Sequence, residues 1–334
     1  MIIALDAMGG DNAPNEIVKG AVMAVREAEG FDVLLLGDEA AIKEVLGKEG
    51  YSGSRITIKG TTEVITNDDV PTRAIKQKKD SSMVVGFELL RDKKVDSFVS
   101  AGNSGALLAG AVMILKKLPG VDRPAVASAV PTKNGHVILL DSGFNTNIKP
   151  ENYVQFAYLG SAYVKAAFGA EDPRVGLVNI GVEEKKGSND VREANELLKH
   201  TDLNYIGNLE TRDFFNDLAD VIVTDGFTGN VMLKLIEGAS DFFFGEIKSV
   251  MGSTVLAKLG ALFMMKKLKL LKTKLDSDVL GGAPLLGVDG LLIKSHGSSK
   301  ARTIKYVLIK ANTIAEAGLI EHLKNEMAAI DLSK

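Results

Sequence analysis

The sequence predicts an α/β fold, three αβα layers built on a mostly parallel sheet. Three observations carry that expectation. One unit recurs along the chain: a short apolar strand, a small-residue loop, then a helix. Such alternation places helices on both faces of a parallel sheet. The strand-like runs are continuously apolar, as strands covered on both faces should be. Six of the loops that follow strands carry Gly, Asn, Ser or Asp.

In chain order, strands are expected at 2–5, 33–36, 95–99, 137–140, 175–178, 221–223 and 291–293. Helices are expected at 14–28, 104–116, 151–168, 190–200 and 299–317. Pro14 suits a first helical turn, where its missing N–H would be unpaired anyway. No fixed-period repeat divides the chain, so residues 1–334 read as a single α/β catalytic domain with a protruding helical pair, the basic amphipathic helical protrusion at 229–275.

Composition removes several classes of function. The chain has 334 residues, 46% of them hydrophobic and 25% charged, which excludes global disorder. The net charge of −3 and pI of about 5.9 argue against nucleic-acid binding through a broadly basic surface. The absence of cysteine excludes disulfides, zinc–thiolate sites and a cysteine nucleophile. The first residues, Met1-Ile-Ile-Ala-Leu-Asp6, have no basic leader, so no signal peptide is expected. Residues 97–115 carry no charge, but Ser100, Gly102, Asn103, Ser104 and Gly105 break the span, and residues 106–115 are too few to cross a bilayer. That span reads as strand, polar loop and buried helix.

The six loops are Asp6-Ala-Met-Gly-Gly-Asp11, Ser100-Ala-Gly-Asn-Ser-Gly105, Asp141-Ser-Gly-Phe-Asn145, Asn179-Ile-Gly-Val-Glu-Glu-Lys-Lys-Gly187, Thr224-Asp-Gly-Phe-Thr-Gly-Asn230 and Lys294-Ser-His-Gly-Ser-Ser299. Ligands of open α/β sheets bind beyond the carboxyl ends of strands. Glycine lets backbone N–H groups approach an anion there. One such loop reads as an ordinary turn with a helix cap. Six together on one sheet edge point to a phosphate-type site.

Other chemistries fail. There is no P-loop, and Met8-Gly-Gly-Asp-Asn-Ala-Pro14 is not a dinucleotide fingerprint. Gly102-Asn-Ser-Gly-Ala106 lacks the last glycine of a serine-hydrolase elbow. His136, His200, His296 and His322 have no metal-ligand spacing, and no metal site is expected. His296 stands apart because it lies in a Gly/Ser loop between Lys294 and Lys300.

Between Glu246 and Asp276 there are seven lysines and no acid, and removing them from the net −3 would leave −10 elsewhere. Apolar residues, among them Leu262 and Phe263, are interleaved with them. A basic amphipathic stretch reads as a contact for an anionic membrane or an acidic partner protein. The plainer reading is a solvated helix packed on the core or on a second subunit.

Together these motifs resemble the bacterial acyl-ACP:phosphate acyltransferase family, known as PlsX, of phospholipid synthesis. The similarity runs in order through Asp6-Ala-Met-Gly-Gly-Asp-Asn-Ala-Pro14, Lys78-Lys-Asp-Ser-Ser-Met83, Ser100-Ala-Gly-Asn-Ser-Gly-Ala-Leu107, Asp122-Arg-Pro124, Lys149-Pro-Glu151, Pro173-Arg-Val-Gly-Leu177, Val223-Thr-Asp-Gly-Phe-Thr-Gly-Asn-Val231, Gly281-Gly-Ala283 and His296-Gly-Ser298. Two departures stand out. Asp141-Ser-Gly-Phe-Asn145 replaces the family's Asp-Val-Gly-Ala-Asn, and Ile75-Lys-Gln-Lys-Lys79 is poorer in arginine. The resemblance implies transfer of a fatty acyl group from acyl carrier protein to inorganic phosphate, without a cofactor. It also implies a homodimer, a cytoplasmic location with peripheral membrane association, hand-over of product to a membrane acyltransferase, and a fold similar to isocitrate and isopropylmalate dehydrogenases and to phosphotransacetylase.

The residues fit that chemistry. Phosphate dianion is itself a competent nucleophile, so the missing thiol and serine elbow are no obstacle. The protein must orient it and stabilise an oxyanion. His296, Asn103 and Lys185 are the candidate catalytic residues, with His296 as proton donor to the leaving thiolate. Ser104, Gly105, Asn179, Asp225, Asn230, Lys294 and Ser298 are candidates for binding phosphate or orienting neighbours. Lys258, Leu262, Phe263, Lys266, Lys267 and Lys269 are the candidate membrane or partner contacts. The competing functions are a phosphotransacetylase using acyl-CoA, a metal-dependent hydroxyacid dehydrogenase, for which no nicotinamide loop is visible, and a non-catalytic membrane-associated scaffold of lipid synthesis.

Overall fold

The computed structural model describes residues 1–275 and 282–329, with the side chains of 255, 269–275 and 329 left out. Two mostly parallel sheets form the frame, and helices pack on both of their sides. The first half of the chain lays down β1 (Ile2–Asp6), α1 (Asn15–Glu27), β2 (Asp32–Gly37), α2 (Glu39–Lys48), β3 (Ile56–Gly60), α3 (Pro71–Gln77), α4 (Ser82–Arg91), β4 (Ser97–Ser100) and α5 (Ser104–Gly110). The chain then passes through β5 (Ala125–Val126), β6 (Ser128–Pro131), β7 (His136–Leu140), α6 (Pro150–Phe168), β8 (Val175–Asn179), α7 (Asn189–Lys199), β9 (Tyr205–Glu210) and β10 (Val221–Val223). Two long helices follow, α8 (Gly226–Gly252) and α9 (Val255–Leu275). The chain returns through β11 (Ala283–Leu286), β12 (Leu291–Lys294), α10 (Ala301–Glu316) and α11 (Leu319–Ala329).

The larger sheet runs β3-β2-β1-β4-β12-β11-β5, parallel from β3 to β12, with β11 antiparallel to both its neighbours. The smaller runs β6-β7-β10-β8-β9, parallel except at edge strand β6. Both owe their parallel pairing to runs such as Val33, Leu35 and Leu36 or Val221, Ile222 and Val223, which are buried on both faces. Helix starts follow from short polar caps. Asp38, Ser81, Asn103, Ser188 and Asp225 each accept a backbone N–H of the first turn, worth about 1 kcal/mol apiece.

The core sits between the layers. Helices α1 and α10 approach so closely at Gly20 that a Cβ there would lie 2.6 Å from the Ile304 side chain. Phe87 and Phe98, both wholly buried, meet edge to face at 5.2 Å under α4 and β4. Burying side chains of this size stabilises the fold by about 1.5–3 kcal/mol each.

Several expectations are corrected. The six polar loops divide three and three between two sheets, because the chain crosses from the larger sheet to the smaller at β5–β6 and back after α9. Helix α1 starts at Asn15, with Pro14 one residue outside it. The expected helix 104–116 is α-helical only to Gly110, continues as a π-turn at Ala111–Leu115, and stops at Lys116, whose φ is +72°. The helical pair expected over 229–275 breaks at Ser253 and Thr254, and its first helix starts earlier, at Gly226. Among the described residues no helix is long and apolar enough to cross a membrane.

Candidate functional site

The strands of the larger sheet deliver three loops side by side. Asp6, buried at the end of β1, accepts the Ser100 hydroxyl at 2.7 Å and the Met8 N–H at 3.1 Å. Burial pushes its carboxyl up, and bonds from Ser82 and Ser100 oppose the shift. Asp11 N–H donates to the Gly297 carbonyl, Asn12 Nδ2 to the Ser298 carbonyl, and Ser295 N–H to the Ser100 carbonyl. The loops after β1, β4 and β12 are therefore knitted together.

The smaller sheet builds its loop around one carboxylate. Asp141, wholly buried at the end of β7, accepts from the backbone N–H groups of Val126, Gly143, Phe144 and Asn145 and from Asn145 Nδ2. Helix α8 docks on that loop. Gly226 N–H donates to the Asn145 carbonyl at 2.7 Å, and Gly229 packs so tightly that a Cβ would stand 2.0 Å from the Asp141 carbonyl oxygen. Only glycine allows this approach, which sets where the following turns of α8 lie.

Where the two sets of loops meet, charged side chains from both converge. Lys294, the last residue of β12, comes from the larger sheet, and its ammonium sits 5.6 Å from the Phe144 ring centre of the other loop. Burial pushes that ammonium down; Asp141 opposes the shift and Lys234 adds to it. Glu237 faces the same group: burial pushes its carboxyl up, while His296, Lys234 and Lys294 pull it back. His296 is exposed, and its Nδ1 shares a 2.8 Å hydrogen bond with Ser298 Oγ. Asn230 lies against Gly143, on the helical face it shares with Lys234 and Glu237. The arrangement can hold a small dianion: two lysines and a histidine face one carboxylate, whose charged form burial disfavours.

Of the residues singled out in the sequence, Lys294, His296, Ser298 and Asn230 come together here. Asn103, Ser104 and Gly105 are on the neighbouring loop after β4. Asn103 is engaged locally: its Oδ1 caps α5 and its Nδ2 donates to the Thr66 carbonyl at 3.1 Å. Asn179 and Asp225 instead line a separate pocket of 260 Å³ with Tyr153, Ser188, Thr211 and Thr228. Asn179 holds its own loop, accepting from Ile180 N–H and donating to the Lys186 carbonyl. Asp225 caps α8 through the N–H groups of Phe227 and Thr228. Lys185 is exposed on the 180–187 loop. The helical period of 3.6 separates this pocket from the site, since Thr228 and Asn230 point to opposite sides of α8.

Three residues of the site escaped the sequence reading: Lys234, Glu237 and, as a contact of Lys294, Phe144. The spacing of Asn230, Lys234 and Glu237 at i, i+4 and i+7 was the available signal. Among the described residues no group of three or more His, Asp or Glu side chains could hold a metal ion. On α9, Lys258, Leu262, Phe263, Lys266 and Lys267 belong to a helix that packs chiefly on α8; Phe263 is 89% exposed. The Lys269 side chain lies outside the described residues. A further apolar groove of 590 Å³ runs along the other face of α8, lined by Phe214, Phe215, Met232, Ile236, Phe243 and Ile247 among others.

The fold is that of the phosphotransacylases. A phosphotransacetylase from Streptococcus pyogenes superposes with a TM-score of 0.62 at 18% identity, covering 95% of this chain and 94% of its own. A branched-chain phosphotransacylase from Enterococcus faecalis does so with 0.60 at 10% identity, covering 94% and 99%. In sequence, residues 1–322 match the family described as fatty acid synthesis protein. Relatives named phosphate acyltransferase include one from Acetivibrio thermocellus, 52% identical over 332 residues (99% of this chain, 98% of the relative). Another, from Clostridioides difficile, is 41% identical over 324 residues, covering 97% and 95%. The chain belongs to this family, and with it to the phosphate acyltransferase class of enzymes.

Proposed function

We propose that the chain transfers a fatty acyl group from acyl carrier protein to inorganic phosphate where the loops of the two sheets meet. The observation that carries this reading is the convergence of Lys294, Lys234 and His296 on Glu237, in a chain with no thiol or serine elbow. A phosphate oxygen attacks the thioester carbonyl carbon, the C–S bond breaks, and an acyl phosphate and a thiolate result. Lys294 and Lys234 hold the phosphate dianion, and Asn230 orients it. A dianion next to Lys294 would favour the charged ammonium and so oppose the effect of burial. His296 protonates the departing thiolate, and Ser298 fixes the imidazole through Nδ1. On the neighbouring loop after β4, where Asn103 is taken up by Thr66 and by the α5 cap, Ser104 and Gly105 are left as the candidate donors for the oxyanion, a contribution of about 2.7–4 kcal/mol per donor.

The acyl chain needs an apolar path. Phe227, Val231 and Leu235 recur at i, i+4 and i+8 on α8, are exposed, and flank the face that carries Asn230 and Lys234. We read α9, with exposed Leu256, Leu259, Leu262 and Phe263 beside Lys258, Lys266 and Lys267, as a peripheral contact for an anionic membrane, where product would pass to a membrane acyltransferase. A homodimer belongs to the same reading, because so much apolar surface on α8 and α9 is uncovered in one chain.

The test mixes purified protein, long-chain acyl-ACP and phosphate and follows free thiol. Phosphate-dependent release with acyl phosphate as product is expected. Release from acyl-CoA but not from acyl-ACP would replace the carrier, and no release from either would overturn the reading in favour of a scaffold.

A further inference from the structure

We propose that Phe144 is a specificity-determining residue, the wall against which the first carbons of the acyl group lie beside Lys294. The proposal rests on the reading of these loops as an acyl-transfer site. Phe144 is half-buried and packs on the hydrophobic cluster that contains Leu107, Ala111 and Leu115. Its ring stands 5.6 Å from the Lys294 ammonium. Its backbone is held by the Asp141 carboxylate, which ties down the N–H groups of residues 143, 144 and 145 together. The ring is thus a rigid apolar surface carried by one sheet's loop and pressed against the cation of the other.

That position has a chemical consequence. If Lys294 holds the attacking phosphate, the reacting carbonyl lies next to it, and the carbons adjoining the carbonyl meet Phe144. A straight chain leaves one face of the α-carbon open to the ring. A methyl branch at that carbon would collide with the ring, whose backbone is held by the bonds of residues 143–145 to Asp141 and which itself packs on the Leu107, Ala111 and Leu115 cluster. A single methyl in a shaped apolar pocket is worth about 10–200-fold in discrimination. The ring also lends Lys294 a cation–π contact, so size and charge effects need separate variants.

The experiment compares straight-chain and 2-methyl-branched acyl-ACP donors, as kcat/KM with phosphate, for the wild-type chain, Phe144→Ala and Phe144→Leu. Binding of the matching non-transferable thioether analogues is measured in parallel. We expect the wild type to prefer the straight chain, Phe144→Ala to lose about tenfold of that preference, and Phe144→Leu to keep most of it with the KM for phosphate raised. Equal discrimination by Phe144→Ala and wild type, in turnover or in analogue binding, overturns the assignment. If the wild type shows no transfer, the acyl-transfer reading fails, and the analogue-binding preference still decides the role of Phe144.

Discussion

Replacing Gly229 by alanine tests how the second half of the site is built. The added Cβ would stand 2.0 Å from the Asp141 carbonyl oxygen and 3.0 Å from Thr224 Cγ2. Side-chain carbons essentially never come within 3.0 Å of such atoms, so α8 must move off the 141–145 loop by roughly 1 Å, an overpacking that costs about 1–3 kcal/mol. Against this, alanine favours a helix interior over glycine by about 1 kcal/mol. Gly245, in the same helix, has nothing within 4 Å of its own added Cβ. Gly245→Ala should therefore gain up to about 1 kcal/mol, and the gap between the two variants, about 1–3 kcal/mol, isolates the clash. Activity should respond more than stability. The shift carries Asn230, Lys234 and Glu237 away from Lys294 and His296, and a 1 Å misplacement costs on the order of a hundredfold in rate. Urea denaturation and phosphate-dependent thiol release on both variants give the two numbers. If Gly229→Ala matches Gly245→Ala in midpoint and in turnover, the close docking of α8 is not what positions the site.

Other perturbations separate roles within the molecule. His296→Ala should lower turnover by about 10²–10⁴, as expected for loss of a general acid, with the denaturation midpoint unchanged, since the imidazole is exposed. Asn103→Ala should instead show a stability loss of about 1 kcal/mol from the missing α5 cap, and a variant whose midpoint stays put would refute that. Lys266→Gln with Lys267→Gln should weaken flotation with anionic vesicles in a salt-dependent manner, each charge contributing about 1 kcal/mol; unchanged flotation would remove α9 as the contact. Lys310 lines a pocket of 260 Å³ with His136, Tyr163 and Tyr306, and burial pushes its ammonium down to about 8 from 10.5. Between those values the unfolded chain binds a proton that the folded one has shed, so stability should rise with pH across that window. Lys310→Met should flatten the rise, as read from denaturation midpoints between pH 7.5 and 10.5, and an unaltered slope would show that another group is responsible.

The frame was legible because its signals are local. Continuous runs such as 221–223 and 175–178 name strands buried on both faces, and the glycine-rich loops name their carboxyl ends. What the sequence hid depends on long-range pairing. Nothing near Asp6 or Asp141 says that their strands lie in different sheets; that follows from the crossing at β5–β6, two short strands of two and four residues. The phosphate-type loops were therefore read as one cluster, while the structure divides them and turns Asn179 and Asp225 toward a pocket of their own. In that pocket Asp225 is a carboxylate engaged in capping α8, a poor host for a dianion. Lys234 is hidden for a related reason: it sits mid-helix among apolar residues, where a lysine ordinarily reads as solvated surface, and only the docking at Gly229 aims that face at Lys294.

The division of the loops between two sheets bears on the chemistry itself. A site whose cations come from separate sheets assembles only when both halves are folded and apposed, and here β5 of the larger sheet is tied to the Asp141 loop of the smaller: Val126 N–H donates to the Asp141 carboxylate, Ser142 N–H to the Val126 carbonyl and Asn145 Nδ2 to the Pro124 carbonyl. Lys294 contributes charge from one side, Asn230 and Lys234 from the other, and neither set alone surrounds a dianion. Phosphate is strongly hydrated, so each half must replace water with fixed donors for the nucleophile to be oriented without losing its reactivity. Small relative displacements of the two sheets would then change phosphate affinity and rate together, whereas changes on the acyl side, at Phe144 or along Phe227, Val231 and Leu235, would alter donor preference with the phosphate half intact. Steady-state kinetics that vary phosphate and donor independently in the Gly229→Ala and Phe144→Ala variants can resolve this partition. A Gly229→Ala defect confined to the KM for the acyl donor would contradict it, because α8 would then be serving the chain and not the anion.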